Sequence, residues 1–146
     1  MIRVHVSPDP IDLTGEMMRV EQGNVGAVAS FCGLVRADDG VDVLELEHYP
    51  GATEAALERI AQTATERWSL QGATIVHRVG PMRPGERIVL VVTAAPHRRD
   101  ALDACAYLID SLKTDAPFWK RETRGDQASW VEARDSDTAA ASRWQA

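Results

Sequence analysis

Aromatic side chains are scarce in this chain: two Phe, four Trp and two Tyr amount to 5% of its 146 residues. Positive charge is also in short supply, with 16 Lys and Arg against 22 Asp and Glu and a formal net charge of −6. The basic residues form no stripe with interleaved aromatics, so composition and pattern argue against a nucleic-acid-binding protein. No apolar run approaches the ~20 residues of a membrane span, and the N-terminus lacks the basic-then-apolar form of a signal peptide. A cytoplasmic protein is expected by default. Only two cysteines occur, Cys32 and Cys105, each inside an apolar segment and without metal-ligand spacing. Both are expected to be buried structural thiols. His5, His48, His77 and His97 are scattered and make no metal motif, so neither a metal nor a cofactor is expected. Also missing are a carboxylate pair, a Ser-His-Asp set and phosphate-loop glycines.

What remains suits one globular domain. The contents of 45% hydrophobic and 26% charged residues are ordinary, and a chain of this length buries roughly two-thirds of its unfolded surface. Residues 2–6 alternate as a strand. A helix is expected to open with Asp9 as N-cap and Pro10 at its first position, ending at Gly23-Asn24. Residues 25–35 are a long apolar run, expected to be a central strand, whose Gly26 and Gly33 signal a bulge or a close backbone approach. A polar loop over 36–42 leads to an alternating strand over 43–49, with Leu44, Leu46 and His48 on one face. Leu57, Ile60, Ala61, Ala64 and Trp68 make a helical stripe over 52–68. Strands at 74–79 and 87–94 flank the turn-rich 80–85. A helix over 98–113 follows, then strands at 118–122 and 129–133 around a hairpin turn at Arg124-Gly125-Asp126. The order β-α-β-β-α-β-β-α-β-β favours an α+β fold over a doubly wound sheet. Residues 1–134 form the domain, and 135–146 form a loose helical tail whose Trp144 suggests docking.

The stretch from Leu112 to Glu122 carries the most chemical information. Leu102, Cys105, Ile109 and Leu112 recur at helical spacing and place Lys113 in a helix's last turn, where the helix dipole favours a cation. Pro117 cannot continue the helix and pushes Ala116 toward extended geometry. Phe118, Lys120 and Glu122 then share one face of a strand. Lys113 and Lys120 can therefore face one pocket, although a charged helix end followed by a solvated edge strand fits the same spacing.

Other cations are placed unusually. His97-Arg98-Arg99 opens a helix, the end where cations are disfavoured and where free amide N–H groups and arginines would together hold an anion. Arginines extending into water are the plainer alternative there. Arg36 ends an apolar strand, a position equally common for site residues and for solvated charges, and Arg134 ends a short strand. Collected together, these residues suit an anionic substrate and electrostatic catalysis, with lysine moving protons.

Seven segments carry a family resemblance: Phe31-Cys32-Gly33 with Val35-Arg36, Leu46 to Gly51, His77-Arg78-Val79-Gly80, His97-Arg98, Leu112-Lys113-Thr114, Ala116 to Glu122, and Trp130 to Arg134. In order and spacing they resemble the large, catalytic subunit of molybdopterin synthase. That resemblance implies an α/β-hammerhead fold with a mixed or antiparallel sheet and about three helices. It also implies an enzyme that converts cyclic pyranopterin monophosphate into molybdopterin by installing a dithiolene. The sulfur would come from a C-terminal glycine thiocarboxylate on a small ubiquitin-like carrier protein. This chain ends in Arg143-Trp144-Gln145-Ala146 and is not expected to be that carrier. The implied assembly is a heterotetramer, a central homodimer of large subunits with one carrier at each end.

By the same resemblance, Lys113 and Lys120 match the catalytic lysines. Phe31, Arg36, His97, Arg98, Lys120, Arg121, Glu122 and Arg134 match substrate-binding positions. Leu34 stands where many relatives carry a basic residue, and the 37–42 loop looks shorter than in some of them. Two alternatives stay open: a persulfide sulfurtransferase with Cys32 as sulfur carrier, and a non-catalytic scaffold binding a ubiquitin-like partner.

Overall fold

The computed structural model describes residues 1–131 and 135–144. In chain order the elements are β1 (Ile2–Ser7), α1 (Leu13–Val20), β2 (Ala27–Leu34), a 3-10 turn (Asp38–Gly40), β3 (Val43–His48), α2 (Ala52–Trp68), β4 (Gly72–Arg78), β5 (Gly80–Met82), β6 (Arg87–Ala95), α3 (Arg98–Asp115), β7 (Phe118–Arg124), β8 (Gln127–Val131) and α4 (Asp135–Ser142). The strands form two four-stranded sheets, ordered β1-β4-β6-β2 and β5-β3-β7-β8. In the first sheet β1 runs parallel to β4 and the other pairs are antiparallel. The second is antiparallel throughout. This is the expected α+β class.

Helices cover both faces of the first sheet, which is why β4 and β6 are apolar along nearly their whole length. On one face Ile75, Val89 and Val91 pack with Leu57, Ile60, Leu108 and Leu112 of α2 and α3. On the other, Val76, Leu90 and Val92 pack with Ile11 and Val20 around α1. Alternation along β6 divides its side chains between these two layers. Each fully buried Val or Leu contributes about 1.5–3 kcal/mol of transfer free energy.

Several local expectations are corrected. Helix α1 starts after Asp12, whose carboxylate accepts the Gly15 N–H at 3.1 Å, while the Asp9 N–H goes to the Ser7 hydroxyl. The later start leaves Ile11 free to enter the core, at 6% exposure. The helix also ends earlier, at Val20. Strand β2 is an edge strand rather than a central one. Its apolar run reflects the layers above and below it, since Ala29 joins the α3 side while Val28 and Cys32 pack toward the α1 side. Its two glycines do what their positions suggest. A Cβ at Gly26 would lie 2.1 Å from the Pro96 carbonyl oxygen, and one at Gly33 would lie 2.9 Å from Val89 Cγ1. The β2–β6 register shifts between Gly33 and Leu34.

The turn-rich 80–85 segment hides strand β5. Leu44 pairs with Met82, and that pairing buries Met82 despite its Pro- and Gly-rich neighbours. The tail carries helix α4, and Trp144 beyond it docks on α2 and α3. The Trp144 ring meets Trp68 and Tyr107 edge-on at 5.7 and 5.8 Å, and its indole N–H donates to Asp110 at 2.7 Å.

Candidate active site

A pocket forms where the C-terminus of α3 meets the inward face of the second sheet. On that face the β3–β7 register pairs Leu46 with Lys120 and His48 with Phe118. Helix α3 delivers Lys113 in its last turn and ends in Ala116, which adopts extended geometry (φ −86°, ψ 126°) as a residue before proline should. Pro117 then turns the chain into β7. Lys113 and Lys120 line the same pocket, together with Leu46, His77, Leu112 and Phe118. It encloses about 80 Å³, room for several water-sized groups.

The turn between the two lysines is tied down from outside. Thr53, in the first turn of α2, donates its hydroxyl to the Pro117 carbonyl at 2.9 Å and accepts the Tyr49 N–H at 2.9 Å. His77 forms a second support. Its ring stacks on Phe118 with centroids 4.0 Å apart and planes 24° apart. Burial, more than the nearby Lys113, Lys120 and His48, lowers its pKa to about 4, against the opposing hydrogen bond to the Arg78 carbonyl. His77 is therefore neutral near pH 7. It had counted among the scattered histidines, and only its place in the His77-Arg78-Val79-Gly80 segment hinted at more.

The other expected site residues do not all converge. Glu122 shares the inward face with Lys120, but it is bound by Arg124 at 2.7 Å and does not line the pocket. Strand alternation turns Arg121 to the opposite face, over the Trp130 ring and 4.0 Å from Glu45. Phe31 sits on β2, 39% exposed and outside the pocket lining. Arg36 follows β2, exposed and paired with Asp38 at 3.2 Å. His97 and Arg98 lie at the other end of α3 from Lys113. At 1.5 Å per residue the separation is about 24 Å, so one chain cannot place them in the same pocket. Arg134 lies outside the described residues.

Cys32 is separated from the lysines by the sheet itself. It packs with the α1-side layer and lines a different, open cavity beside Ile11 and Arg78. Cys105 is buried in α3, as expected, and burial raises its thiol pKa to about 11, the behaviour of an inert structural thiol.

Two four-stranded sheets sharing a core with their helices, and two lysines lining one pocket at a helix-to-strand junction, define an α+β protein with cationic side chains at its pocket. Comparison with known proteins narrows the class. The MoaE protein family model matches residues 6–115. The molybdopterin synthase catalytic subunit of Mesorhizobium japonicum is 51% identical over 97% of this chain and 92% of its own length. Among solved structures, the MoaE protein of Burkholderia ambifaria superposes with a TM-score of 0.85 at 48% identity, covering 99% of this chain and 98% of that one. Molybdopterin synthase from Staphylococcus aureus gives a TM-score of 0.83 at 32% identity, over 88% and 96% of the two chains. The chain belongs to the MoaE family.

Proposed function

We propose that this chain is the catalytic subunit of a molybdopterin synthase. It transfers sulfur from a thiocarboxylated small carrier protein to cyclic pyranopterin monophosphate and so forms the molybdopterin dithiolene. Near-full-length similarity to proteins of that name supports this function. The observation that carries it is the meeting of Lys113 and Lys120 in one pocket.

A thiocarboxylate and a phosphate are both anions, and ammonium groups held in a partly enclosed site stabilise such charge more than water does. Lys113 balances the charge that develops between the thiocarboxylate and the substrate carbon, and moves protons. Lys120 holds the substrate beside it. The carrier enters with its extended C-terminal tail, since the enclosed part of the pocket suits a chain end rather than a folded surface.

The antiparallel β2–β6 pairing points to where the remaining basic residues act. Ala27 pairs with Ala95 and Leu34 with Arg87, so Arg36 and His97 lie at opposite ends of the first sheet. Helix α3 runs back along it and carries Lys113 to the Arg36 end. A second copy related by a two-fold axis at the β2 edge would bring its own His97 and Arg98 to the Lys113 end of the first. A central homodimer with one carrier on each subunit, located in the cytoplasm, therefore completes each substrate site from two chains. The Cys32 persulfide alternative loses its geometric support, because Cys32 lies across the sheet from the lysines.

Mass spectrometry of the pterin after mixing this chain with a thiocarboxylated carrier and cyclic pyranopterin monophosphate tests the assignment. A dithiolene product is expected. Unchanged substrate would refute it, and loss of product in Cys32→Ser would revive the persulfide route.

A further inference from the structure

The fold dictates the tautomer of His77. Its Nδ1 lies 2.9 Å from the Arg78 carbonyl oxygen. A carbonyl can only accept, so Nδ1 carries the ring proton and Nε2 keeps a lone pair. Stacking on Phe118 and burial hold the ring in place. Among the described residues, the charged and titratable groups facing it are Lys113 from α3, Lys120 from β7 and His48 from β3. The guanidinium of neighbouring Arg78 is turned away, toward the Pro8 carbonyl and Glu86. A buried, neutral acceptor thus stands in the wall of a pocket that Lys113 and Lys120 also line.

We propose that His77 is a positioning residue for the catalytic lysine: its unprotonated Nε2 accepts a hydrogen bond from Lys113 and holds that ammonium at the reacting end of the pocket. A lysine ammonium has three donors on a four-carbon stem, and two of them in one pocket repel each other. A neutral imidazole supplies an acceptor without adding negative charge beside the ammonium. This role presupposes sulfur transfer at the same pocket.

The test compares His77→Asn with His77→Gln in the complex of this chain and its carrier. The Asn amide can still donate to the Arg78 carbonyl but offers no acceptor at the Nε2 position, which the longer Gln side chain reaches. Single-turnover sulfur transfer should fall about ten- to a hundredfold in His77→Asn, the loss expected for a hydrogen bond to a charged group. KM for the carrier should stay unchanged, and His77→Gln should recover part of the rate. In ¹⁵N NMR spectra His77 should be the Nδ1–H tautomer, and its Nε2 resonance should move in Lys113→Ala. Full rate in His77→Asn, or an Nε2 resonance indifferent to Lys113→Ala, would overturn the assignment. The spectroscopic comparison needs no His77 variant and so survives misfolding of one. Absence of turnover in the wild-type protein would instead refute the sulfur-transfer function, with the Nε2 measurement still deciding the His77–Lys113 contact.

Discussion

The Thr53 hydroxyl donates to the Pro117 carbonyl at 2.9 Å across 64 residues of sequence. Thr53 has no exposed surface, and Pro117 is the turn that sets Lys113 against Lys120. The start of α2 thereby holds the corner between Lys113 and Lys120 in shape. Thr53→Val keeps the size but removes both hydrogen bonds, leaving the Tyr49 N–H and the Pro117 carbonyl without this partner. A loss of about 1–3 kcal/mol in stability is expected, together with slower sulfur transfer. Thr53→Ser should restore both. Urea denaturation paired with single-turnover assays checks this, and an unchanged rate in a destabilised Thr53→Val protein would separate the clamp from catalysis.

Lys113 should be the most sensitive position. Its side chain is exposed at a helix end and contributes little to the core, so Lys113→Ala should fold and bind carrier normally. Its single-turnover rate should drop by about 10²–10⁴, the usual worth of one group that moves protons and stabilises transition-state charge. Lys120→Ala should be milder and act more on substrate binding. A near-wild-type chemical step in Lys113→Ala would end the mechanism.

Arg98→Ala should raise KM for the pterin about ten- to a hundredfold, the loss of one charge-assisted hydrogen bond to phosphate. Because His97 and Arg98 cannot reach Lys113 within one chain, mixing and reassembling Arg98→Ala with Lys113→Ala should, at pterin concentrations well below the raised KM, recover activity that neither has alone. In the mixed dimer one site has both defects and the other has neither. No recovery on mixing would remove Arg98 from the site that contains Lys113.

Acid should weaken the fold through His77. In the folded protein its pKa is lowered to about 4 from an ordinary 6.5. Between those values the unfolded chain binds a proton that the folded one refuses. This contribution is therefore fully present above about pH 6.5 and shrinks as the pH falls, by on the order of 3 kcal/mol at the bottom of the window. Urea midpoints at pH 7 and pH 4.5 measure it, and the drop should be smaller in His77→Gln. Equal drops would assign the acid sensitivity to other groups.

Much of this protein was legible in its sequence because the relevant signals are local. The 3.6-residue spacing of Leu57, Ile60 and Ala64 marks α2. The alternation of Leu44, Leu46 and His48 marks the inward face of β3, and Pro117 ends α3 wherever that helix lies in space. The chemical inventory was legible too, down to Lys113 and Lys120 as neighbours across a short turn.

Tertiary structure decided which of those residues meet. Strand order put apolar β2 at an edge, because burial by layers above and below a sheet says nothing about position within it. Pairing with β3 made a strand of Gly80–Met82 against its composition. Strand alternation sent Arg121 away from Lys120, and the length of α3 carried His97 and Arg98 out of reach of Lys113. His77 became a neutral acceptor only through burial, the Phe118 ring and one carbonyl of its own strand. Periodicity specifies a residue's face on its own element; which distant element that face meets depends on sheet order, register and helix length, and these exist only once the chain has folded.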